Sequence, residues 1–344
     1  MKAAALTGIR QVAVIDVPEP KIEKDNDVLL KVELVGVCGS DMHYYVTGEI
    51  GSEKVEYPFI IGHECAATVK DTGNSVTRVK VGDKIAVEPA LVCHQCDQCK
   101  TGRENTCRNL KFLGCPGQMA GCLCEYIVMP ENCCFPVGEN VSFAQAVLCE
   151  PLAIAVYSIH QAGIKQGFNI AILGAGPIGL SSLKSAQAEN LKKIYMTEKI
   201  RERIVVSQKA GAKWVGNPEE QDVVGEILSQ EPDGMDVVFE CAGQQETLDQ
   251  AVELLKPGGK LMLIGIPRTD KVSFVIDKLR RKEITIINVR RQNKCTQKAI
   301  ELVASGKIDV DFMVTHRFEL EQAQQAFDMV ADYKDGVVKA MIEI

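Results

Sequence analysis

Apolar residues change rhythm near the middle of this chain. Up to about residue 150 they come in short runs, such as Val28-Leu29-Leu30-Lys31-Val32 and Lys84-Ile85-Ala86-Val87, separated by Gly, Pro, Asn and Asp. That pattern predicts irregular β structure with turns. Thr77 to Lys84 reads as strand, turn and strand, and few long helical periods appear. After Glu150 the stretch Pro151 to Gly163 is apolar and Ala-rich, which predicts a linking helix. Strand and helix signals then alternate. Predicted strands are Ile170–Leu173, Ile194–Thr197, Trp214–Gly216, Asp236–Phe239, Lys260–Ile264 and Ile284–Ile287. Helical stretches such as Arg201 to Ala210 and Glu246 to Leu255 lie between them. Six strands with crossover helices predict a doubly wound parallel sheet. Lys256-Pro257-Gly258-Gly259 is expected to end one helix and turn into the next strand. From about Gln292 the tail returns to helix, extended segment and helix.

The first predicted strand of the alternating half runs into Gly174-Ala175-Gly176-Pro177-Ile178-Gly179 and then a predicted helix. That context makes the glycine spacing a dinucleotide fingerprint. Gly174 allows the tight turn, Gly176 lets the backbone approach a pyrophosphate, and Gly179 lets helix and strand pack closely. Glu198 ends the next strand, nineteen residues after Gly179. A carboxylate there can accept both ribose hydroxyls and repels a 2′-phosphate, so NAD is expected over NADP. Lys199, Arg201 and Arg203 lie close enough to soften that preference.

Fourteen cysteines would suggest disulfides in a small secreted chain. This chain has 344 residues, and its start, Met1 to Leu6, is a short apolar run broken by Gly8 and Arg10. A cytoplasmic enzyme with metal-bound and buried thiols is the expectation. Cys93, Cys96, Cys99 and Cys107 are spaced C-x2-C-x2-C-x7-C, which suits a closed, structural zinc site, with an iron–sulfur cluster as the competitor. His94 is read as a bystander. The remaining cysteines read as small buried apolar residues. A net charge of −7 with no basic stripe excludes a nucleic-acid binder, and no apolar run approaches a membrane span.

Three polar clusters precede the glycine turn: Cys38-Gly39-Ser40-Asp41, Gly62-His63-Glu64 and Glu150-Pro151. A thiolate, an imidazole and carboxylates are a donor set for a catalytic metal with an open position. His63 and Glu64 are adjacent, however, and on a regular strand would point to opposite faces. Both reach one ion only at a turn or a helix start.

Together, Gly36-Val37-Cys38-Gly39-Ser40-Asp41, Gly62-His63-Glu64, the four-cysteine loop and the glycine turn resemble the medium-chain zinc-dependent dehydrogenases over essentially the whole length. Within that family, Met42-His43-Tyr44-Tyr45, Gly48-Glu49-Ile50-Gly51, Glu150-Pro151-Leu152 and Val314-Thr315-His316-Arg317-Phe318 are most similar to the sorbitol (L-iditol) dehydrogenase branch. The resemblance implies an α/β chain with a GroES-like, mostly-β catalytic domain at 1–150 and 289–344, and a Rossmann domain at 151–288. It implies two zinc ions per chain. Cys38, His63 and Glu64 would hold the catalytic one, with Glu150 binding the metal or its water, and Cys149 an alternative from other branches. It places Ile178, Glu198, Arg203, Ile264, Gly265, Ile266, Val289, Arg290 and Arg291 on NAD. Ser40, Tyr44, Glu150 and Arg290 fall on the substrate side, and Ser40 and His43 on a proton route. The branch typically has Arg-Tyr where this chain has Arg290-Arg291; a second cation would favour a phosphorylated or acidic polyol, unless Arg291 points elsewhere. The expected activity is oxidation of a small-molecule polyol by a homotetramer, with a dimer next. The alternatives are a vicinal diol, a sugar-alcohol phosphate or threonine as substrate, or a relative without catalysis.

Overall fold

A computed structural model describes residues 1–191 and 193–344. The chain divides into two compact units, Met1–Glu150 with Thr296–Ile344, and Pro151–Cys295. The return to the first unit therefore comes at Thr296, where the sequence reading puts it at residue 289.

The first unit is built on a seven-stranded sheet. Its spatial order is Cys134–Pro136, Lys84–Val87, Glu64–Thr72, Asp27–Gly36, Lys339–Glu343 and Val314–Glu319, with Tyr126–Pro130 also pairing to Asp27–Gly36. The long strand Asp27–Gly36 is central and its inward residues Val28, Leu30, Val32 and Val35 are fully or almost fully buried. Thr77 to Lys80 does not form the expected strand. Glu131 Oε2 accepts the backbone N–H groups of Thr77 and Arg78 at 2.9 and 3.0 Å, so these donors are satisfied outside any sheet.

The second unit is a six-stranded parallel sheet in the order Trp214–Gly216, Ile194–Thr197, Ile170–Leu173, Met235–Glu240, Leu255–Leu263, Thr285–Asn288. Numbered within the unit, this is 3-2-1-4-5-6, the doubly wound order with its topological switch beside the first strand. Ile170–Leu173 and Ile194–Thr197 are buried at every position, as strands covered on both faces must be. Lys256-Pro257-Gly258-Gly259 is not a turn ahead of the strand. It lies inside strand Leu255–Leu263, where the register with Met235–Glu240 shifts and Gly258 takes a φ of 77°.

The linking helix is longer than expected, running from Phe143 to Ala162 with Pro151 inside it. It is long and apolar enough to cross a membrane by length and composition alone. It is not an uninterrupted apolar run, since Gln145, Glu150, His160 and Gln161 fall within it. Its most apolar window is 61% buried within the protein, as in a core helix.

Candidate metal centres and dinucleotide site

Strand pairing in the first unit brings the ends of two strands together beside a third. Gly36, the last residue of its strand, pairs with Glu64 on one side and Met341 on the other. Glu64 is the first residue of its own strand, and His63 precedes it in the loop after Gly62, whose φ is 99°. The adjacent pair thus sits at a strand start, which lifts the opposite-face restriction. Cys38 caps helix Gly39–Val46, just beyond Gly36. The Cys38 thiol, the His63 ring and the Glu64 carboxylate each place one ligand atom within 4.8 Å of the others.

These side chains fit an ion. His63 and Glu64 are buried, and Glu64 Oε1 has no hydrogen-bond partner among the described residues. A buried, unpartnered carboxylate oxygen is costly unless a cation satisfies it. Asp41 Oδ1 lies 3.3 Å from His63 Nδ1, and Asp41 Oδ2 accepts the Cys38 N–H at 3.0 Å. Asp41 therefore sits behind both ligands, leaving His63 Nε2 for a metal. Burial pushes the Cys38 thiol up, aided by the Glu64 charge. Burial alone would lower His63, but the Asp41 and Cys38 charges outweigh it and raise it well above its ordinary value.

Glu150 is not within the three-residue group. It is near enough to feel His63 and Glu64, and desolvation first, then Glu64 and Glu88, push its carboxyl up to about 8 against the pull of His63. Cys149 is fully buried and its thiol donates to Gln145 O at 3.2 Å, one helical turn back, so it is not part of the set. The Ser40 hydroxyl donates to Cys38 Sγ at 3.3 Å, and His43 follows three residues later on the same face of the helix. Tyr44 is buried, with its hydroxyl 3.6 Å from Cys115 Sγ. Arg290 is exposed and belongs to the second unit.

The second cysteine group is tighter. Sulfur–sulfur distances are 3.6 Å for Cys96–Cys99, 3.9 Å for Cys96–Cys107 and 3.5 Å for Cys93–Cys107. Four sulfurs bound tetrahedrally to one zinc at ~2.3 Å would lie about 3.8 Å apart. The group therefore fits a single ion; a multi-iron cluster would hold its thiolates further apart. Backbone N–H groups, Gln95 first, lower the Cys93 thiol to about 6. His94 is outside the group, with Nε2 3.0 Å from Asn132 Nδ2.

In the second unit, Gly174 has a φ of 99°, and a Cβ on Gly179 would stand 1.9 Å from Gly174 O. A Cβ on Gly176 would meet only Arg203 Nη1, at 3.7 Å, so the backbone there is open to approach. Helix Pro177–Ala188, which contains Ile178 and has Pro at its first position, starts at this turn. Its N-terminus has no side-chain cap, which leaves donors for a pyrophosphate. Glu198 is held in place by three backbone donors: Ala175 N–H to Oε2 at 2.8 Å, and Lys199 and Ile200 N–H to Oε1 at 2.8 and 3.0 Å. Ile264-Gly265-Ile266 leaves its strand against Gly243, where a Cβ on Gly265 would come within 2.3 Å of Gly243 N. Val289 N–H donates to Leu263 O at 2.9 Å, and Arg291 takes a left-handed φ of 54°.

Residues 24–139 match the model of the alcohol dehydrogenase GroES-like domain, and residues 177–305 that of the zinc-binding dehydrogenase domain. Sorbitol dehydrogenase of Bacillus subtilis is 37% identical over 343 residues, covering 99% of this chain and 97% of that one. The chain belongs to the medium-chain zinc-dependent dehydrogenases, in their polyol dehydrogenase branch. L-idonate 5-dehydrogenase of Vitis vinifera is 32% identical, over 89% of this chain and 85% of that one. Among solved structures, an Escherichia coli oxidoreductase of unknown specificity superposes with a TM-score of 0.94 at 32% identity, covering 100% of this chain and 99% of that one. A zinc-binding dehydrogenase of Sinorhizobium meliloti, at TM-score 0.91 and 30% identity over 100% and 99% of the two chains, is bound to NADP. An E. coli alcohol dehydrogenase, at TM-score 0.90 and 26% identity over the same shares, is complexed with NADH. The GroES-like domain and the Rossmann sheet are thus those of a zinc alcohol dehydrogenase acting on polyols or sugar alcohols.

Two residues of the metal site were not singled out from the sequence. One is Asp41, as the partner of His63. The other is Lys339, whose Nζ lies 2.5 Å from Glu64 Oε2 with both side chains 1% exposed. A lone lysine in the apolar run Val337-Val338-Lys339-Ala340-Met341-Ile342 is the signal that could have marked it.

Proposed function

We propose that this protein is an NAD-dependent polyol dehydrogenase. It takes a hydride from the carbon bearing a secondary hydroxyl of a sorbitol-, L-iditol- or xylitol-like substrate and releases a ketose, NADH and a proton. The observation that carries this is the donor set Cys38, His63 and Glu64, with Glu64 Oε1 buried and unpartnered. Those residues would hold the catalytic zinc, with Glu150 beside them. Cys93, Cys96, Cys99 and Cys107 would hold a structural one, giving two per chain. Zinc at the first site supplies Lewis-acid polarisation, which lowers the pKa of a hydroxyl. Ser40 takes up the proton that the carbinol loses while releasing its own hydroxyl proton to His43, which passes it towards solvent. Glu150, half-buried beside the set, would bind the ion or its water. Tyr44 falls on the substrate side, with its hydroxyl 3.6 Å from Cys115 Sγ.

On the cofactor side, Gly174, Gly176, Ile178 and Gly179 take the pyrophosphate. Glu198 takes the adenosine ribose and Arg203 the same end. Ile264, Gly265, Ile266, Val289, Arg290 and Arg291 line the nicotinamide. NAD over NADP follows from the buried Glu198 carboxylate, which excludes a second phosphate. Arg290-Arg291, together with the L-idonate relative, favours a second reading: a polyol bearing an acid group.

We also propose a cytoplasmic homo-oligomer, a tetramer or else a dimer. Val272, Val275 and Ile276 are 37%, 56% and 73% exposed, and strand Thr285–Asn288 forms an edge of the parallel sheet. An apolar surface beside an open edge supports association with a second copy. Reduction of NAD with sorbitol, xylitol, L-iditol, galactitol, 2,3-butanediol, threonine, an aldonate and a hexitol phosphate tests the substrate reading. Turnover of neutral polyols supports it. Turnover of the aldonate or phosphate alone supports the second reading, and no turnover contradicts both.

A further inference from the structure

We infer that Lys339 is a positioning residue for the metal centre: it occupies one oxygen of Glu64, so that the carboxylate meets the ion through the other oxygen alone. A coordination position then stays open for substrate. This rests on the zinc reading of Cys38, His63 and Glu64.

The strand register puts the two groups together. Gly36 pairs with both Glu64 and Met341, and Lys339 lies two residues before Met341 on the same strand. Lys339 Nζ donates to Glu64 Oε2 at 2.5 Å and to Val37 O at 3.2 Å, so the ammonium is anchored to the backbone as well as to the carboxylate. Glu64 Oε1 has no partner among the described residues. Gly36 leaves room for Oε2 in this place, since a Cβ there would stand 2.5 Å from it. One oxygen is thus committed to a buried cation and the other is offered to the metal pocket.

The distinction matters because a carboxylate can occupy one or two positions on a metal. Three protein donors on a four-coordinate zinc leave one position for a hydroxyl. A Glu64 bound through both oxygens would take that position. Lys339 prevents this by competing for Oε2, and that competition also weakens the hold of Glu64 on the ion. The lysine therefore trades metal affinity for an open position. A merely structural ion pair would do the opposite: its loss would loosen the site and release the metal.

The test compares wild-type holoenzyme with Lys339→Met and Lys339→Arg, each with zinc and with cobalt in the first site. The expected result for Lys339→Met is full metal content and slower release to a chelator. Its cobalt d–d bands should weaken, as they do when coordination number rises, and kcat should fall on the order of 100-fold with little change in KM. Lys339→Arg should restore much of kcat and the wild-type spectrum. Faster metal release, lower metal content, an unchanged cobalt spectrum or an unchanged kcat in Lys339→Met would overturn the inference. Should Lys339→Met not fold, a structure of the zinc-loaded wild type decides. One Glu64 oxygen on zinc and the other on Lys339 supports it; both on zinc overturns it. The cobalt spectrum and the carboxylate geometry need no substrate, so failure of the polyol reading and failure of this inference are separate results.

Discussion

Asp41 Oδ1 stands 3.3 Å from His63 Nδ1, and the two side chains are only 1% and 7% exposed. A carboxylate at that nitrogen fixes the ring's tautomer and orientation and leaves the other nitrogen for a metal. Asp41→Asn removes the charge while keeping the shape. Metal affinity at the first site is expected to fall about 10- to 100-fold, measured by chelator competition. An unchanged affinity would mean that Asp41 only caps its helix.

The two cysteine-containing sites should respond differently to loss of a ligand. Cys38→Ser is expected to remove one zinc and most turnover, with little change in melting temperature. Cys99→Ser is expected to remove the other zinc and to lower the melting temperature by several degrees, because a closed site contributes folding energy directly. Elemental analysis and calorimetry check this. Loss of both ions from either variant would contradict two independent sites.

Glu198 binds three backbone donors in the free protein, so its replacement has two consequences. Glu198→Gly should shift preference from NAD towards NADP, measured as the ratio of kcat/KM values. It should also cost about 1–3 kcal/mol of stability, because the Ala175, Lys199 and Ile200 N–H groups lose their acceptor. A shift in stability with an unmoved cofactor ratio would assign Glu198 to the turn alone.

An acid-sensitive element lies in the second unit. Glu231 accepts from Tyr195 Oη at 2.6 Å, Asn169 Nδ2 at 2.9 Å, Lys193 Nζ at 3.0 Å and Lys213 Nζ at 3.1 Å. Burial alone would raise its carboxyl, but Tyr195 and the two lysines outweigh burial and hold it at about 2, below its ordinary 4.5. A depressed carboxyl contributes stability above pH 4.5 that is lost as pH falls through 4.5 towards 2. Glu231→Gln should therefore be less stable than wild type at neutral pH, by about 1–3 kcal/mol, with the gap closing across that window. Denaturant unfolding at a series of pH values reads it. A gap that stays constant down to the lowest pH would rule out the ionised pair as its source.

Much of the second unit was legible because strands buried on both faces read as unbroken apolar runs. Ile170–Leu173, Ile194–Thr197 and Trp214–Gly216 have the bounds read from the sequence. Pro151 misled the reading of the linking helix, since a proline suggests a helix start and here lies inside one. Thr77 to Lys80 has strand-like composition, but the Thr77 and Arg78 donors go to Glu131 and the Lys80 donor to Asp83 instead of a neighbouring strand. In the metal site, the ligand types were legible but their supports were not. Asp41 and Lys339 act through contacts between elements, Lys339 across 275 residues, and no local pattern carries that pairing. The adjacency of His63 and Glu64 looked like an obstacle until the strand start at Glu64 and the turn at Gly62 resolved it.

Polyol-dependent NAD reduction, measured before zinc removal, after it, and after zinc is returned, decides whether this enzyme is a zinc polyol dehydrogenase. Turnover of a neutral polyol is expected to disappear with the metal and come back with it. Polyol oxidation that survives complete removal of zinc, or no polyol oxidation by the fully zinc-loaded enzyme, would contradict that expectation.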